Sequence, residues 1–513
     1  MSVIRLSIFC GLLWVCAISC RINDQTGGGK HLRTSLFNTG WKFSLDADEG
    51  AKALKFDDSD WPEVQLPHDW SIAGEIEKDN PSGHFGGFYP GGVGFYRKSF
   101  AYDPAWTGMN VSITFDGVMS NSEVWINGHS LGTRPNGYVG FTYELTPYLS
   151  EEENVLLVKA DNSAQPNSRW YTGAGIYRNV WLHVKNKIAV AQHGTYVVAE
   201  NLSPEKAQLT IETRIEHTTA EEADVHIVSS ILNAAGDKVG EGQTKQLLRG
   251  NGQATIKQRL EILQPALWSI DEPNMYVLHT KLLLGADVID ESETPFGVRE
   301  IRFEVETGFW LNGENVKVKG VNNHHDGGPV GAAVPDDVLH RRLQLLKEMG
   351  CNAIRTAHNP FSPEFYHMAD TMGFLVMDEV FDEWIASWPW VDYENQGKVR
   401  YGYHQHFEQW AQRDLADIIL RDRNHPSIFM WSVGNEIPDQ CYPEGPERLK
   451  PLMETVHRLD PTRPVTAGCC FIHLANASGF SSLLDVTGYN GGGGSVFYEK
   501  DKALYPDRKF IAT

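Results

Sequence analysis

The stretch DRNHPSIFMWSVGNE, residues 422–436, decides the fold of the C-terminal half of this chain. Its centre, Ile428 to Ser432, is a short apolar run typical of a buried strand in a parallel sheet. Such a strand would carry Asn435 and Glu436 to its C-terminal end. In barrels of alternating strands and helices, the reactive groups lie at that end. We therefore predict that Glu436 acts as a general acid/base, with Asn435 beside it.

Segments before and after this stretch predict alternating strands and helices from about residue 311 onwards. This alternation predicts parallel βα units, and a barrel is the natural closure of a sheet built from them. The predicted strands cover 316–321, 353–356, 374–377, 428–432, 464–467, 485–488 and 509–512. The predicted helices cover 336–349, 363–372 and 406–420.

A second segment, NAIRTAHNP at residues 352–360, is followed by Asp370, Gly373 and the apolar run 374–377. Together with residues 422–436, it resembles the two signatures of family 2 of the glycoside hydrolases, the β-galactosidase and β-glucuronidase group. One position departs from the pattern, because many members have Tyr where this chain has Asn359. The resemblance implies a (β/α)8 TIM barrel that cleaves glycosidic bonds.

The N-terminal half predicts two β-sandwiches. Short strand-like runs separated by Gly, Asn and Asp fill residues 35–185, and a second set of alternating strands fills residues 186–298. By resemblance, the first is a jelly-roll sugar-binding domain, the second is an immunoglobulin-like domain, and residues 299–513 form the catalytic domain. The predicted fold is therefore a jelly-roll β-sandwich, an immunoglobulin-like β-sandwich and an incomplete TIM barrel.

The resemblance gives Glu436 the role of protonating the leaving glycosidic oxygen, with a second carboxylate about 5 to 5.5 Å away as the nucleophile. In this family the nucleophile is a Glu at the end of strand seven, and by resemblance it would follow Thr513 directly. The sequence is therefore expected to be a fragment or the product of a truncated gene. By itself it is expected to be inactive and poorly soluble, because an open barrel exposes strand edges.

Further site residues follow from the resemblance. His324 and His358 are expected to contact sugar hydroxyls. The alternative for either one alone is an ordinary hydrogen-bonded loop histidine. Arg355 is expected to orient the acid/base or the nucleophile through a bidentate pair. Asp69 is expected to reach the far hydroxyls of the sugar, together with His68, Arg169 and Trp170. Tyr489 is assigned the aromatic hydroxyl that bonds the nucleophile, and the glycines after it are expected to form a flexible loop.

An acidic row follows the predicted third strand, and some β-galactosidases bind magnesium near this point. This chain has Ile385 where the His ligand would fall, so we expect neither a metal nor another cofactor. The row is interpreted as hydrogen-bonding support, and a sugar contact is the alternative. Three nearby tryptophans could stack on sugar or pack the loop. The row comprises Asp378, Glu379, Asp382 and Glu383, and the tryptophans are Trp384, Trp388 and Trp390.

The first twenty residues resemble a bacterial lipoprotein signal. Arg5 precedes the apolar run 6–15, and AISC at residues 17–20 resembles a lipobox. We predict that residues 1–19 are removed, that Cys20 is lipidated, and that residues 20–34 form a tether. The protein would then be anchored to a bacterial membrane in the periplasm or at the cell surface. Ordinary secretory cleavage is the alternative.

Composition limits the partners. A net charge of −21 argues against nucleic acid and against polyanionic ligands, whereas neutral carbohydrate is compatible with it. The cysteine spacing matches neither a disulfide framework nor a zinc site. The sequence thus predicts an exported retaining exo-β-glycosidase, with β-galactosidase preferred over β-glucuronidase and β-mannosidase. A non-catalytic glycan-binding lipoprotein is the alternative from another class, and no oligomeric state is predicted.

Overall fold

The computed structural model describes residues 33–45, 47–385, 400–491 and 493–513 of the chain. The predicted signal peptide, Cys20, most of the tether, Trp388 and Trp390 lie outside these residues. None of the described helices combines the length and the apolar character needed to cross a membrane.

The first domain is a sandwich of two antiparallel sheets. Its strands are β1 (Arg33–Leu36), β2 (Trp41–Ser44), β3 (Glu63–Val64), β4 (Val93–Ala101), β5 (Asn110–Phe115), β6 (Ser122–Ile126), β7 (His129–Arg134), β8 (Phe141–Glu144), β9 (Glu153–Asp161) and β10 (Val180–Lys185). One sheet has the strand order β1–β10–β5–β8, and the other has the order β3–β2–β4–β9–β6–β7. The inner faces of the two sheets enclose one core that includes Trp41, Tyr96 and Phe115.

The second domain is another antiparallel sandwich, with the sheets β11–β12–β15 and β14–β13–β16–β17. Its strands are β11 (Ile188–Glu200), β12 (Lys206–His217), β13 (Ala223–Leu232), β14 (Lys238–Leu248), β15 (Gly252–Leu263), β16 (Tyr276–Leu284) and β17 (Asp287–Phe296). Along β12 every second residue is buried, the period expected of a strand with one face on a core.

The third domain begins with a small antiparallel sheet and continues as a curled parallel sheet of seven strands in sequence order, β21 to β27. The small sheet contains β18 (Ile301–Glu304), β19 (Gly308–Leu311) and β20 (Glu314–Asn315). The parallel sheet and its helices are β21 (Gly320–Asn323), α1 (Asp336–Glu348), β22 (Ala353–Thr356), α2 (Pro363–Met372), β23 (Leu375–Glu379), α3 (Phe407–Asp422), β24 (Ile428–Asn435), α4 (Gly445–Leu459), β25 (Val465–Cys469), α5 (Ile472–Ser478), β26 (Thr487–Tyr489), α6 (Gly493–Leu504) and β27 (Phe510–Ala512). The predicted fold class is confirmed.

Two local predictions were wrong. The first parallel strand begins at Gly320 and not at Val316, because Val316 continues the small sheet by donating its backbone N–H to the carbonyl of Phe309. Gly493 and Gly494, which were expected to belong to a flexible loop after Tyr489, instead begin helix α6. Phe497 of that helix packs on the barrel core, and tertiary packing of this kind outweighs the low helix propensity of glycine.

The first domain is fixed to the barrel through charged and polar contacts with α2 and α3. The buried guanidinium of Arg134 donates to the carboxylate of Asp414, at 3.2 Å, and to that of Asp417, at 2.8 Å. Asn179 donates to Glu364 at 2.6 Å. These contacts hold the loop around residue 169 over the C-terminal ends of the parallel strands.

Candidate active site

Glu436 follows directly after β24, a strand of the parallel sheet in which all eight residues are buried. Its φ of 47° is in the left-handed region, which is uncommon for a residue other than glycine and often occurs at functional sites. Its backbone N–H donates to the carbonyl of Gly468 at 2.8 Å, which fixes this turn to β25. Its side chain is 31% exposed, so the carboxylate is accessible at the C-terminal end of the sheet.

Arg169, from the first domain, is the charged partner of Glu436. Its Nη1 donates to Glu436 Oε2 at 2.9 Å, and its Nε donates to Asp382 Oδ2 at 3.0 Å. Burial raises the pKa of Asp382, but the charge and hydrogen bonds of Arg169 outweigh burial and leave that pKa below its usual value. Arg169, which the sequence placed near the sugar, thus forms a bridge between two carboxylates of the barrel.

Asn490 holds the other oxygen of Glu436. Its Nδ2 donates to Glu436 Oε1 at 2.8 Å and also lies 3.2 Å from Asn435 Oδ1. Tyr489, the residue that the sequence assigned to this region, does not join the cluster. Its hydroxyl donates to Asp501 at 2.7 Å, because successive side chains of a strand point to opposite faces and Tyr489 faces helix α6. The interpretation of Tyr489 is corrected accordingly.

Arg355 forms its carboxylate pair with Glu379 and not with Glu436. Its Nε and Nη2 donate to Glu379 Oε2 at 3.0 and 2.8 Å, and Nη2 also donates to Asn435 Oδ1 at 2.7 Å. His358 Nδ1 lies 2.6 Å from Glu379 Oε1. Burial raises the pKa of Glu379, but Arg355 and His358 outweigh it, so the pKa lies below its usual value. An ionised Glu379 therefore orients Arg355 and His358 together.

Three rings form one wall of the site. The ring centroid of Trp170 is 5.1 Å from that of His324 and 5.6 Å from that of His358, and the two imidazoles are 5.5 Å apart. Burial, reinforced by His358, lowers the pKa of His324. His324 is therefore a neutral imidazole at pH 7, and its buried Nδ1 has no hydrogen-bond partner in the described part of the chain. An aromatic face beside imidazole nitrogens suits a sugar ring with its hydroxyls.

Asp69 lies outside this cluster. Its Oδ1 accepts the backbone N–H groups of Ser71 and Ala174, at 3.2 and 2.9 Å. Its Oδ2 accepts the hydroxyl of Tyr171 at 2.7 Å and the backbone N–H of Ala332 at 2.8 Å. Both oxygens are therefore occupied by protein, and the last bond joins the first domain to the barrel. These contacts assign Asp69 to domain docking, where the sequence had suggested sugar contact.

The acidic row after β23 is divided among separate partners. Glu379 and Asp382 pair with arginines as described above, whereas Asp378 accepts the hydroxyl of Tyr366 at 2.7 Å. Glu383 lies 3.0 Å from Nδ1 of His404. Within the described residues, no group of three or more His, Cys, Asp or Glu side chains is arranged to hold a metal ion. The row supports the active face through hydrogen bonds, and Asp382 reaches the acid/base through Arg169.

Three segments match models of one protein family. Residues 88–186 match "Glycosyl hydrolases family 2, sugar binding domain", residues 192–299 match "Glycosyl hydrolases family 2", and residues 303–475 match "Glycosyl hydrolases family 2, TIM barrel domain". The order of the matches is the order of the three folded domains.

Individual relatives agree with the family models. The chain is 43% identical to the beta-galactosidase BoGH2A of Bacteroides ovatus over 93% of its own length and 59% of that protein. It is 30% identical to a beta-glucuronidase of Formosa agariphila over 83% of its length and 44% of that protein. The crystal structure of a glycosyl hydrolase family 2 member from Bacteroides cellulosilyticus superimposes with a TM-score of 0.89 at 35% identity, covering 94% of this chain and 61% of that one.

Proposed function

Because the chain belongs to family 2 of the glycosyl hydrolases, we propose that it provides the general acid/base and the sugar-binding face of an exo-acting retaining β-galactosidase. The observation that carries this proposal is the position of Glu436. Its carboxylate is accessible at the C-terminal end of the sheet, Arg169 and Asn490 hold both of its oxygens, and the wall of Trp170 and two imidazoles lies nearby.

The proposed reaction is a double displacement. Glu436 donates a proton to the glycosidic oxygen as a carboxylate nucleophile attacks the anomeric carbon, and it then removes a proton from the water that hydrolyses the glycosyl ester. Glu379 and Asp382 are already paired with Arg355 and Arg169. We therefore assign neither Glu379 nor Asp382 as the nucleophile of this reaction.

The charge of the site favours a neutral sugar over a uronic acid. Arg169 and Arg355 are the arginines bonded within the described cluster, and both are neutralised by carboxylates. The carboxylate of a glucuronide would therefore find no unpaired cation among these side chains, while Glu436 and Asp382 would repel it. This argument and the identity to a beta-galactosidase both support a β-galactoside as the substrate.

The test uses the protein expressed from its complete native reading frame, with aryl β-galactoside, β-glucuronide and β-mannoside as substrates. We expect hydrolysis of the galactoside. Glu436→Ala should abolish turnover of an alkyl galactoside but spare the first step for a dinitrophenyl galactoside, whose leaving group needs no proton. Glu447→Ala, at an exposed glutamate on α4, is the matched control.

The outcomes separate the alternatives. Faster turnover of the glucuronide or mannoside would reassign the substrate. A folded protein that binds galactosides without cleaving any glycoside would be a non-catalytic glycan-binding protein. Equal losses with both leaving groups in Glu436→Ala would refute the acid/base assignment.

We also propose export and anchoring through Cys20, supported by the lipobox-like AISC at residues 17–20. Cells fed a clickable fatty acid should label the wild-type protein and Cys351→Ser, but not Cys20→Ser. Equal labelling of all three would refute lipidation at Cys20.

A further inference from the structure

A small pocket lies between the first domain and the barrel, next to the candidate active site. Its volume is about 90 Å³, and its lining includes Asn136, Tyr138, Trp170, Asn359 and Asp382. Trp170 and Asp382 also belong to the cluster around Glu436, so the pocket continues the active face. This space is sufficient for one polar substituent of a sugar ring.

Asn359 is the lining side chain of this pocket whose polar atoms are least satisfied by hydrogen bonds. It is only 1% exposed, and neither its Nδ2 nor its Oδ1 has a hydrogen-bond partner among the described residues. Ser168 Oγ and Asn167 Oδ1 line the same pocket and are also buried without partners. Because unsatisfied buried polar atoms are destabilising, these atoms are expected to bond to whatever occupies the pocket.

The chemistry of the lining selects the substituent. The amide and hydroxyl groups are neutral donors and acceptors, while Asp382 and Glu383 make the pocket unfavourable for an anion. The hydroxyls of a hexopyranose are attached directly to the ring, and the C5 hydroxymethyl group alone projects a carbon further. A pocket of this size and polarity fits that group.

We propose that this pocket receives the C5 hydroxymethyl group of the terminal sugar and that Asn359 bonds its hydroxyl. The inference rests on the proposed function and extends it, because it names the group that the site selects. Asn359 follows His358 directly in the chain, so the pocket and the imidazole wall would contact the same sugar residue. Galactosides would be preferred to 6-deoxygalactosides, which lack the hydroxyl, and to galacturonides, which carry a charge.

The experiment measures dissociation constants by calorimetry for the phenyl 1-thio-β-glycosides of galactose, 6-deoxygalactose and galacturonic acid, using the same full-length protein. The wild type should bind the galactoside about 10- to 100-fold more tightly than the 6-deoxy compound. The galacturonide should also bind at least about 10-fold more weakly than the galactoside. Asn359→Leu should reduce the first ratio to about 1 while keeping affinity for the 6-deoxy compound. Gln409→Leu, at an exposed position of α3, should leave all constants unchanged.

Equal binding of the galactoside and its 6-deoxy analogue by the wild type would overturn the pocket assignment and leave the proposed function intact. That comparison needs no variant, so it decides the matter even if Asn359→Leu fails to fold. Failure to bind any of the three glycosides would instead refute the proposed function, and with it this inference.

Discussion

Replacing Asp69 with alanine distinguishes domain docking from sugar contact at that residue. The change removes both carboxylate oxygens and leaves the backbone N–H groups of Ser71, Ala174 and Ala332 without their acceptor. A buried donor left unpaired costs about 1 to 3 kcal/mol, and three neighbouring losses are not fully additive. We therefore expect Asp69→Ala to lower the free energy of unfolding by about 3 to 6 kcal/mol.

Thermal unfolding followed by circular dichroism measures this effect. For a unit of about 150 to 250 residues, each kcal/mol lowers Tm by about 2 to 4 °C, so a decrease of roughly 6 to 24 °C is expected. Asp57→Ala is the matched control, because Asp57 is exposed and accepts one backbone N–H, from Ser59 at 3.1 Å. Its Tm should change by less than about 2 °C.

Sugar affinity provides the opposing readout. Below its lowered Tm, Asp69→Ala should bind phenyl 1-thio-β-galactoside as the wild type does. An unchanged Tm combined with a large loss of affinity would refute the docking role and restore Asp69 to the sugar site. The close approach at this point agrees with docking, because a Cβ on Gly173 would lie 2.4 Å from Cβ of Ala332 and Gly173 has a φ of +74°.

Three further predictions concern charged groups. Arg169→Ala should lower kcat for galactoside hydrolysis by about 100-fold, because Glu436 loses the donor that orients it, and Arg169→Lys should recover part of the loss. Glu379→Gln should destabilise the protein by about 3 to 5 kcal/mol in urea unfolding, because the buried charge of Arg355 loses its partner, and a change below about 1 kcal/mol would contradict this. Burial raises the pKa of Asp116 to about 7 from 3.8, so the folded state retains a proton that the unfolded state has released, and stability falls as pH rises between these values. Asp116→Asn removes this titration, and its Tm relative to the wild type should therefore increase from pH 5 to pH 8.

The elements with the strongest patterns were predicted from the sequence with little error. The strand 353–356 and the helix 363–372 have the predicted bounds, and the strand that begins at Ile428 extends three residues further than predicted. Some of these segments have clear termini, such as Gly373 in the left-handed conformation at the end of α2. Local sequence is sufficient to place the ends of a strand or helix where the hydrophobic periodicity and the residues that terminate the element agree.

The errors arose where a side chain depends on distant neighbours. The choice between Tyr489 and Asn490 is a shift of one residue along β26, and such a shift exchanges the two faces of a strand. The sequence did not predict the contacts of Asp69 either, because its backbone donors come from loops that meet only after folding. The pairing of Arg355 with Glu379 was not predicted, because the sequence does not specify the order of carboxylates across neighbouring strands.

The pairing of Arg169 with Glu436 explains why the motifs singled out Glu436 but did not predict its surroundings. The two residues are 267 positions apart and belong to different domains. Glu436 is placed by β24, whereas the charge beside it arrives only when the first domain docks through contacts such as that of Arg134 with Asp414. Since both carboxylates bound by Arg169 lie on the barrel, the guanidinium also links docking to the geometry of the acid/base. The first domain is therefore a structural part of the candidate active site, and changes at the docking surface should alter turnover even though they contact no sugar.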